Sequence, residues 1–366
     1  MIELLVVVIL SVVIVLLFLN YYPSFGGNPS KLQVENFKTF KNYQKGRFQN
    51  QTETKMSMSF SSLLSMVKDL FDSNTNRSPK NPFPVSQMDW EKINETEDSI
   101  TWFGHSTFLI SVDGKKILFD PIFSRISSPI SFVGSKRYSR DIFHLIDRLP
   151  RIDAVVISHD HYDHMDYRTI IQLKEKISHL FVPCGVGAHL EKWGISDTSF
   201  TEFNWWDELE WNGLKIVATP SRHFSGRGLF NRDTTLWSSW IIASKGTKIF
   251  FSGDGGYGQH FKEIGEKYGP FDLTLIEGGQ YDERWNSIHM FPEQSVQAHL
   301  DLKGKTMILM HWGAFTLAYH SWTDPIERAI VASKEKAVEL FIPNLCETVI
   351  LPANAHFSRQ WWKENS

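Results

Sequence analysis

The histidine-rich stretch Ser158–His164 is the feature that most constrains how this chain folds. It directly follows the largely apolar run Ile152–Ile157 and places His159, His161, Asp163 and His164 within six residues. These four side chains cannot share one helical face, and they do not alternate as strand residues do. The pattern predicts a loop at the end of a β-strand, where side chains converge on one point. Imidazole and carboxylate groups suit zinc and its first-row neighbours, so we predict a metal site built on His159, His161, Asp163 and His164.

Residues of the same ligand types follow predicted strands elsewhere in the chain. The β-like runs Leu214–Ala218, Lys248–Phe251 and Thr306–Met310 are followed closely by, respectively, His223, Asp254 and His311. Strand ends at one edge of a layered fold lie close together in space, although they are far apart in sequence. We therefore expect these three side chains to join the histidine-rich stretch in one cleft.

The chain from residue 99 onward has the pattern of a layered α/β domain. Further short β-like runs predict strands at Ile100–Phe103, Thr107–Val112, Lys116–Phe119, Ala154–Ile157, Leu180–Pro183, Trp237–Ala243 and Leu273–Ile276. Other segments predict helices at Tyr167–Lys176, Phe261–Lys267, Pro292–Leu302 and Asp324–Glu339. Many strands with interspersed, outward-facing helices favour layers of sheet and helix.

The N-terminal stretch Met1–Leu19 is almost wholly apolar, with Glu3 and Ser11 as its interruptions. About 20 helical residues cross the roughly 30 Å of hydrocarbon in a bilayer, so we predict a single-pass membrane anchor over residues 1–22. A cleaved signal peptide and a buried core helix are the alternatives. A signal peptide would have a basic start and a small-residue cleavage site, and neither feature is found in this stretch. Lys and Arg residues follow the span and none precedes it, which predicts a cytoplasmic catalytic domain.

Residues 23–98 predict a linker and an amphipathic cover segment, and residues 99–366 the catalytic domain. Tyr22–Ser30 and Asn74–Val85 have the composition of linkers. Between them, Met56–Phe71 carries apolar residues at helical spacing and predicts an amphipathic helix. This apolar stripe either packs onto the catalytic domain or faces lipid at the mouth of a lipid-binding cleft.

Composition indicates which ligands and surfaces the sequence supports. The chain has 366 residues and a formal net charge of -3, so charge gives no argument for binding nucleic acid. The two cysteines, Cys184 and Cys346, form no paired motif, so the metal prediction depends on histidine and aspartate. The 13 Trp residues favour apolar clefts or a membrane-proximal surface in addition to the core.

Several motifs carry a resemblance to a known family. One set of residues resembles the dinuclear zinc signature of the metallo-β-lactamase superfamily: His159, His161, Asp163, His164, His223, Asp254 and His311. Six further stretches resemble the N-acylphosphatidylethanolamine-hydrolysing phospholipase D family and its bacterial relatives: Thr101–Thr107, Phe119–Phe123, Gly134–Tyr138, Trp237–Trp240, Tyr268–Asp272 and His311–Gly313. The resemblance covers residues 100–351. It implies an α/β fold, a four-layer αββα metallo-β-lactamase sandwich, here preceded by an N-terminal transmembrane helix.

The resemblance implies two Zn²⁺ ions per chain. It assigns His159, His161 and His223 to the first ion, Asp163, His164 and His311 to the second, and Asp254 to both. Such a pair activates a shared water for attack on phosphorus and offsets charge on the phosphoryl oxygens. Asp163 or Asp254 would orient the attacking hydroxide and take its proton. Asp120 would hold a ligand histidine from behind, which fixes its tautomer. His105 would have the same role, or it would be a structural histidine with its hydrogen bonds satisfied.

The substrate that the resemblance implies is an N-acylated glycerophospholipid, cleaved to phosphatidic acid and an alcohol such as N-acylethanolamine. His289 would bind the phosphate or protonate the leaving oxygen, and Tyr281 and Trp285 would bind substrate beside it. His289 also has a structural alternative, because Pro292 and Glu293 suit the start of a helix. A homodimer is compatible with the resemblance.

Two other functions stay open from the sequence. The same metals could serve hydrolysis of a soluble lactone or a cyclic phosphodiester, as in other branches of the superfamily. A membrane-tethered scaffold with a vestigial metal site is the non-enzymatic alternative. The complete ligand set argues against the scaffold, because loss of a ligand is the expected mark of decay.

Overall fold

The computed structural model describes residues 2–54, 60–70, 76–82, 85–95, 97–352 and 360–365. The helices in chain order are α1 (Ile2–Tyr21), α2 (Lys31–Phe37), α3 (Phe60–Leu70), α4 (Trp90–Asn94), α5 (Tyr167–Leu173), α6 (Gly187–Lys192), α7 (His260–Tyr268), α8 (Pro292–Asp301) and α9 (Asp324–Glu335). The strands are β1 (Tyr43–Gln44), β2 (Arg47–Phe48), β3 (Ser99–Trp102), β4 (Phe108–Val112), β5 (Lys115–Phe119), β6 (Ile152–Val156), β7 (Ile177–Pro183), β8 (Phe200–Phe203), β9 (Glu208–Trp211), β10 (Leu214–Thr219), β11 (Ser239–Ala243), β12 (Lys248–Phe251), β13 (Phe271–Glu277), β14 (Gly304–Met310), β15 (Glu339–Leu340) and β16 (Thr348–Ile350).

Two seven-stranded sheets pack face to face. The first has the spatial order β16-β3-β4-β5-β6-β7-β8, and the second has the order β15-β14-β13-β12-β11-β10-β9. Each sheet is part antiparallel and part parallel: β5 to β8 run parallel in the first, and β12 to β15 run parallel in the second. Helices cover the outer faces, so the predicted four-layer αββα sandwich is confirmed.

The core follows from the alternation of side chains along each strand. Phe108 and Ile110 of β4 point between the sheets, whereas Leu109 points outward into the cluster that contains residues of α5 and α6. Phe119 and Phe251 pack across the two sheets with ring centroids 4.8 Å apart. Full burial of a side chain of this size stabilises the fold by about 1.5–3 kcal/mol, so the two sheets depend on each other.

The ten predicted strands and four predicted helices of the catalytic domain are present, with their ends shifted by a few residues. Helix α6 was not predicted from the sequence, and neither were the edge strands β8, β9, β15 and β16. Strands β8 and β9 carry charged and partly exposed side chains. They lack the apolar run that marks a buried strand.

Helix α1 is long and apolar enough to cross a membrane by length and composition. Its side chains are exposed along nearly its whole length, so no protein surface buries its apolar residues as a core helix would require. The predicted N-terminal helix is therefore present as one continuous element, and its role as a membrane anchor stays a prediction.

Residues 31–54, predicted as part of the linker and cover segment, pack against the catalytic domain. The Ser30 side chain accepts a hydrogen bond from the Gln33 amide and forms a capping box that starts α2. Phe37, Tyr43 and Phe48 then join Trp205 and other domain residues in a separate apolar cluster. This part of the chain is thus a folded layer on the domain.

The predicted helix Met56–Phe71 is present over Phe60–Leu70, and residues 55–59 and 71–75 lie outside the described part of the chain. Its apolar residues Leu64 and Val67 are exposed. Its polar residues Ser65 and Asp69 instead contact the catalytic domain, because each accepts a hydrogen bond from the Arg284 guanidinium. Ser65 and Asp69 therefore attach the described helix to the domain, while Leu64 and Val67 stay exposed, and the role of the whole apolar stripe stays a prediction.

Candidate metal centre

The seven predicted ligand residues lie together at one edge of the sandwich. The histidine-rich stretch follows β6, His223 follows β10, Asp254 follows β12, and His311 follows β14. Trp240 holds the two sheets together there, because its indole Nε1 donates a hydrogen bond to the Ile157 carbonyl at 2.9 Å. The expectation that separate strand ends converge in one cleft is met by the geometry.

Three imidazoles form the first donor group. The His161 Nδ1 lies 2.8 Å from the His159 Nε2 and 3.3 Å from the His223 Nε2. Burial, followed by the charge of neighbouring histidines, holds the pKa of His159 well below its usual range. Burial likewise holds the pKa of His223 well below that range. Neutral imidazoles that face one another present lone pairs to the same point, which suits a shared cation.

The second donor group combines a carboxylate with three histidines: His105, Asp163, His164 and His311. The Asp163 Oδ2 lies 2.7 Å from the His105 Nε2 and 3.5 Å from the His164 Nε2. Burial opposes ionisation of Asp163, but the adjacent His164 and His105 hold the pKa of its carboxyl well below the usual range. His105 was predicted to lie behind a ligand, and its 2.7 Å contact with the Asp163 carboxylate fits that role, although its Nε2 is also close enough to be a donor itself.

Asp254 lies between the two donor groups. Its Oδ1 is 3.1 Å from the His311 Nδ1, and its Oδ2 is 3.1 Å from the His164 Nε2 and 3.9 Å from the His159 Nε2. Burial would raise the pKa of this carboxyl, but the charges of His164 and His311 hold it well below the usual range. An ionised carboxylate in this position has the geometry of a ligand shared by two ions.

The residues present fit a pair of divalent cations. Among the described residues, the buried His164 Nε2 and Asp254 Oδ1 have no hydrogen-bond partner within the protein. A buried polar atom without a partner costs free energy, so atoms of this kind at the point of convergence fit coordination to a cation. Imidazole and carboxylate donors suit zinc among the common protein metals.

Buried partners orient the ligand histidines. The Asp120 Oδ2 lies 2.7 Å from the His164 Nδ1, and it accepts a 2.5 Å hydrogen bond from the Ser158 hydroxyl. The His223 Nδ1 lies 3.0 Å from the Ile288 carbonyl, which can only accept a hydrogen bond. In both histidines the Nδ1 is therefore engaged, and the Nε2 is left for a metal.

Three residues of this centre have a left-handed backbone. His105, Asp120 and His311 have φ values of 55°, 38° and 67°. This left-handed region is uncommon for residues other than glycine and often marks functional sites. The His311 amide donates to the His105 carbonyl at 3.1 Å, so the end of β14 is fixed to the turn between β3 and β4.

A cavity of about 330 Å³ opens beside the metal centre. Polar and apolar side chains line it together: His161, Asp163, Asp254, Gln280, Arg284, His289 and His311 with Met66, Phe224, Trp285, Ile288 and Leu317. The predicted substrate residues His289 and Trp285 therefore both line it. Such a cavity suits a molecule with a charged group next to an apolar one.

A buried carboxylate, that of Glu277, lies behind His289. No functional role was predicted for Glu277 from the sequence. The Glu277 Oε2 lies 3.6 Å from the His289 Nδ1, and the Glu277 Oε1 accepts a hydrogen bond from the Met290 amide at 2.7 Å. Burial raises the pKa of Glu277 to about 6. Burial opposes the charged form of His289, but Glu277 raises its pKa above the usual value.

Tyr281 lies outside this cavity, in contrast to its predicted contact with substrate. The side chain is buried, and its hydroxyl donates a hydrogen bond to Asp324. Its ring stacks on His320 with centroids 4.2 Å apart. These contacts give Tyr281 a packing role at the start of α9, because the residue points away from the metal centre.

Asn50 contacts the site from the N-terminal layer, and no sequence pattern pointed to it. Its Oδ1 accepts from the His223 amide at 3.1 Å, and its Nδ2 donates to the His223 carbonyl at 2.8 Å. Asn50 lies in a polar segment without periodicity. Sequence position alone could not relate it to a histidine more than 170 residues away.

Comparison with known proteins identifies the family of this chain. The model of the beta-lactamase superfamily domain matches residues 115–312. The chain belongs to this superfamily. An uncharacterised protein of Mycobacterium tuberculosis is 38% identical over 327 residues, which cover 88% of this chain and 87% of that protein. With the site geometry, this membership makes the chain a metal-dependent hydrolase and sets aside the non-enzymatic scaffold.

Two further similarities bear on fold and activity. The N-acyl-phosphatidylethanolamine-hydrolyzing phospholipase D 1 of Caenorhabditis elegans is 37% identical over 230 residues, which cover 59% of this chain and 64% of that enzyme. The solved structure of Igni18, a metallo hydrolase from Ignicoccus hospitalis, superposes with a TM-score of 0.55 at 24% identity. That alignment covers 71% of this chain and all of Igni18, and it supports the fold alone.

Proposed function

We propose that this protein is a zinc-dependent phosphodiesterase that hydrolyses N-acylphosphatidylethanolamine-type glycerophospholipids in the manner of a phospholipase D. The cavity carries this proposal, because both candidate ligands and apolar side chains line it. A glycerophospholipid has the matching arrangement, with a phosphodiester next to acyl chains. The similarity to the C. elegans phospholipase supports the same substrate class.

Two zinc ions would be held by the two donor groups. His159, His161 and His223 would bind one ion. Asp163, His164 and His311 would bind the other, and Asp254 would be shared. When bound, such ions lower the pKa of a coordinated water and neutralise charge on phosphoryl oxygens.

The remaining steps belong to side chains of the protein. The ionised carboxylates of Asp163 and Asp254 orient the attacking water and accept its proton. His289 lies on the cavity wall with Glu277 behind it, so a protonated imidazole there binds the phosphate or gives a proton to the leaving oxygen. Phe224 and Trp285 hold the apolar part of the substrate and exclude water from it.

Anchoring by α1 would hold the cavity close to a lipid substrate. We propose that α1 spans the bilayer once, with the catalytic domain on the cytoplasmic side. Basic residues of the following segment, among them Lys31 and Lys38, favour that orientation. A homodimer stays a prediction.

The test is a lipid-class screen on the full chain loaded with zinc. The proposal expects release of N-acylethanolamine and phosphatidic acid from detergent-dispersed N-acylphosphatidylethanolamine. The Asp254→Asn variant should lose this activity, because the shared carboxylate is gone. Asp113→Asn is the matched control, since Asp113 is exposed in the β4–β5 turn, at the end of β5 remote from Asp120.

Two outcomes would contradict the proposal. Hydrolysis of a soluble lactone or cyclic phosphodiester without lipid turnover would assign the centre to the alternative substrate class. Full lipid turnover by Asp254→Asn would remove the role given to the shared carboxylate.

A further inference from the structure

Two loop tips expose large apolar side chains that the enzyme mechanism does not use. Phe132 is 82% exposed and Val133 is 52% exposed. Leu229 is 71% exposed and Phe230 is 78% exposed. Single exposed apolar residues are common on protein surfaces, but two adjacent pairs at the tips of loops are a different arrangement.

The first tip, Phe132–Val133, closes a tight hairpin. A β-bridge pairs Ile126 with Lys136 at its base, and the Ser127 amide donates to the Ser135 carbonyl at 3.2 Å. Near the tip, the Val133 amide donates to the Ile130 carbonyl at 3.1 Å. The hairpin is thus held by its own backbone hydrogen bonds, and it presents its apolar pair outward.

The second tip, Leu229–Phe230, is formed by the loop that begins at the candidate ligand His223. The Asp233 amide donates to the Ser225 carbonyl at 3.1 Å and closes the base of the loop. The Asn231 Oδ1 accepts from the Gly228 amide at 2.7 Å across the tip. This loop is therefore also ordered by local hydrogen bonds, with its apolar pair at the outer end.

Both tips lie beside the end of α1. Residues 22–24, which follow α1, line a shared cavity of about 330 Å³ with residues of the first hairpin, among them Arg125, Ser128 and Ser131. At the base of the second loop, the Arg227 Nε donates to the Ser24 carbonyl at 2.9 Å. The point where the proposed anchor leaves the bilayer therefore has an apolar tip on each of two neighbouring loops.

Basic side chains accompany these apolar groups. Arg125 and Lys136 flank the first hairpin, and Arg232 follows the second tip. The Lys192 ammonium donates a hydrogen bond to the Asn20 carbonyl near the end of α1. Exposed apolar tips with nearby cations suit a surface where hydrocarbon meets anionic headgroups.

We propose that the tips Phe132–Val133 and Leu229–Phe230 insert into the membrane that α1 anchors. This inference rests on the anchoring role proposed for α1. Its occupant is a lipid bilayer, because the two loops contact the segment that directly follows α1, and the apolar side chains of α1 are exposed in the described part of the protein.

Insertion would also bring the active-site cavity to the lipid surface. Phe224 lines that cavity and lies on the same loop as Leu229 and Phe230. The Arg232 guanidinium stacks 4.2 Å above the Phe224 ring, so the outer part of the loop is in contact with the cavity wall. A lipid that enters beside the second tip would meet Phe224 before it reaches the candidate ligands.

The test measures the depth of spin labels on the full chain in bilayers of phosphatidylcholine and phosphatidylglycerol. Both native cysteines are buried, so labels can be directed to Phe132→Cys and Leu229→Cys. Val331→Cys is the control, because Val331 is also apolar and 56% exposed but lies on α9, which packs beside β15, at the opposite edge of the second sheet from β9 and β10. We expect tip labels to collide more with oxygen than with a water-soluble nickel chelate, and the control label to show the reverse.

A label at either tip that collides more with the nickel chelate than with oxygen would overturn the proposal that both tips insert. The measurement does not depend on turnover, so it separates this inference from the proposed function. Inserted tips on a chain that hydrolyses no phospholipid would support the inference and refute the proposed activity.

A second variant tests the effect on substrate access. In Leu229→Ser/Phe230→Ser we expect hydrolysis of lipid in vesicles to fall several-fold, with turnover in detergent unchanged. Equal losses in vesicles and detergent would show that the change disturbs the site itself, and they would overturn the role of the tip.

Discussion

The contact between Asn50 and the backbone of His223 allows a direct test of how the N-terminal layer supports the metal centre. The Asn50 side-chain amide makes both a donor and an acceptor hydrogen bond to His223, at 2.8 and 3.1 Å. The same Oδ1 accepts a hydrogen bond from the Trp237 indole at 3.0 Å. Asn50 therefore positions the main chain that carries a candidate ligand, without touching the cavity.

The Asn50→Ala variant removes all three hydrogen bonds. Each is worth about 0.5–1.5 kcal/mol net, so the free energy of unfolding should fall by about 2–4 kcal/mol. The affinity for zinc should also fall, because His223 is no longer held in place. Partners of this kind behind a ligand typically contribute about 10–100-fold in metal affinity, which equals about 1.4–2.8 kcal/mol.

The assay is competition for Zn²⁺ with a chromophoric chelator, combined with thermal unfolding of the same samples. Asn42→Ala is the matched control, because Asn42 lies in the same layer and donates one partly buried hydrogen bond at 2.8 Å to Asn204, away from His223. We expect both variants to lose stability and Asn50→Ala alone to lose affinity for zinc. Equal zinc affinity in the two variants would refute the reasoning.

Three further predictions follow from buried polar groups. Asp120→Asn should weaken zinc binding about 10–100-fold in the same competition assay, because the His164 Nδ1 loses a charged partner. Arg137→Met should lower the free energy of urea unfolding by about 3 kcal/mol, because buried carbonyls that accept from its guanidinium lose their donor. Burial raises the pKa of Glu202 to about 7, above its usual 4.5, so the folded state binds this proton more tightly than the unfolded state. Stability should therefore fall by at most about 3 kcal/mol between pH 4.5 and 7, and urea unfolding across that range should show a flatter profile for Glu202→Gln.

The strands and the ligand set could be predicted from sequence because both leave local signals. A buried strand such as β6 ends in an apolar run, Ala154–Val156, and the residues soon after it belong to a dense group of metal-ligand types. His311 stands alone, but it also directly follows an apolar run. Such signals need only neighbouring residues, and the meeting of strand ends follows from the layered architecture.

The partners of the ligands were harder to predict because they depend on distances across the fold. Glu277 ends β13 and is fully buried, yet its relation to His289 depends on the path of the loop between them. His105 enters the second donor group through a left-handed backbone. Sequence pattern carries no information on such a conformation when the residue is not glycine.

The N-terminal layer shows why a division into anchor, linker and enzyme is too simple in physical terms. Asn50 holds the backbone of His223. Arg227, four residues after His223, donates to the Ser24 carbonyl and to the carbonyl of Asp160, which lies inside the histidine-rich stretch. Both contacts act on the loop that starts at a candidate ligand and ends in an apolar tip. The geometry of the metal centre and the attachment of α1 therefore depend on the same few hydrogen bonds. A substitution that breaks the contacts at one end of this loop should also alter the position of the residues at its other end.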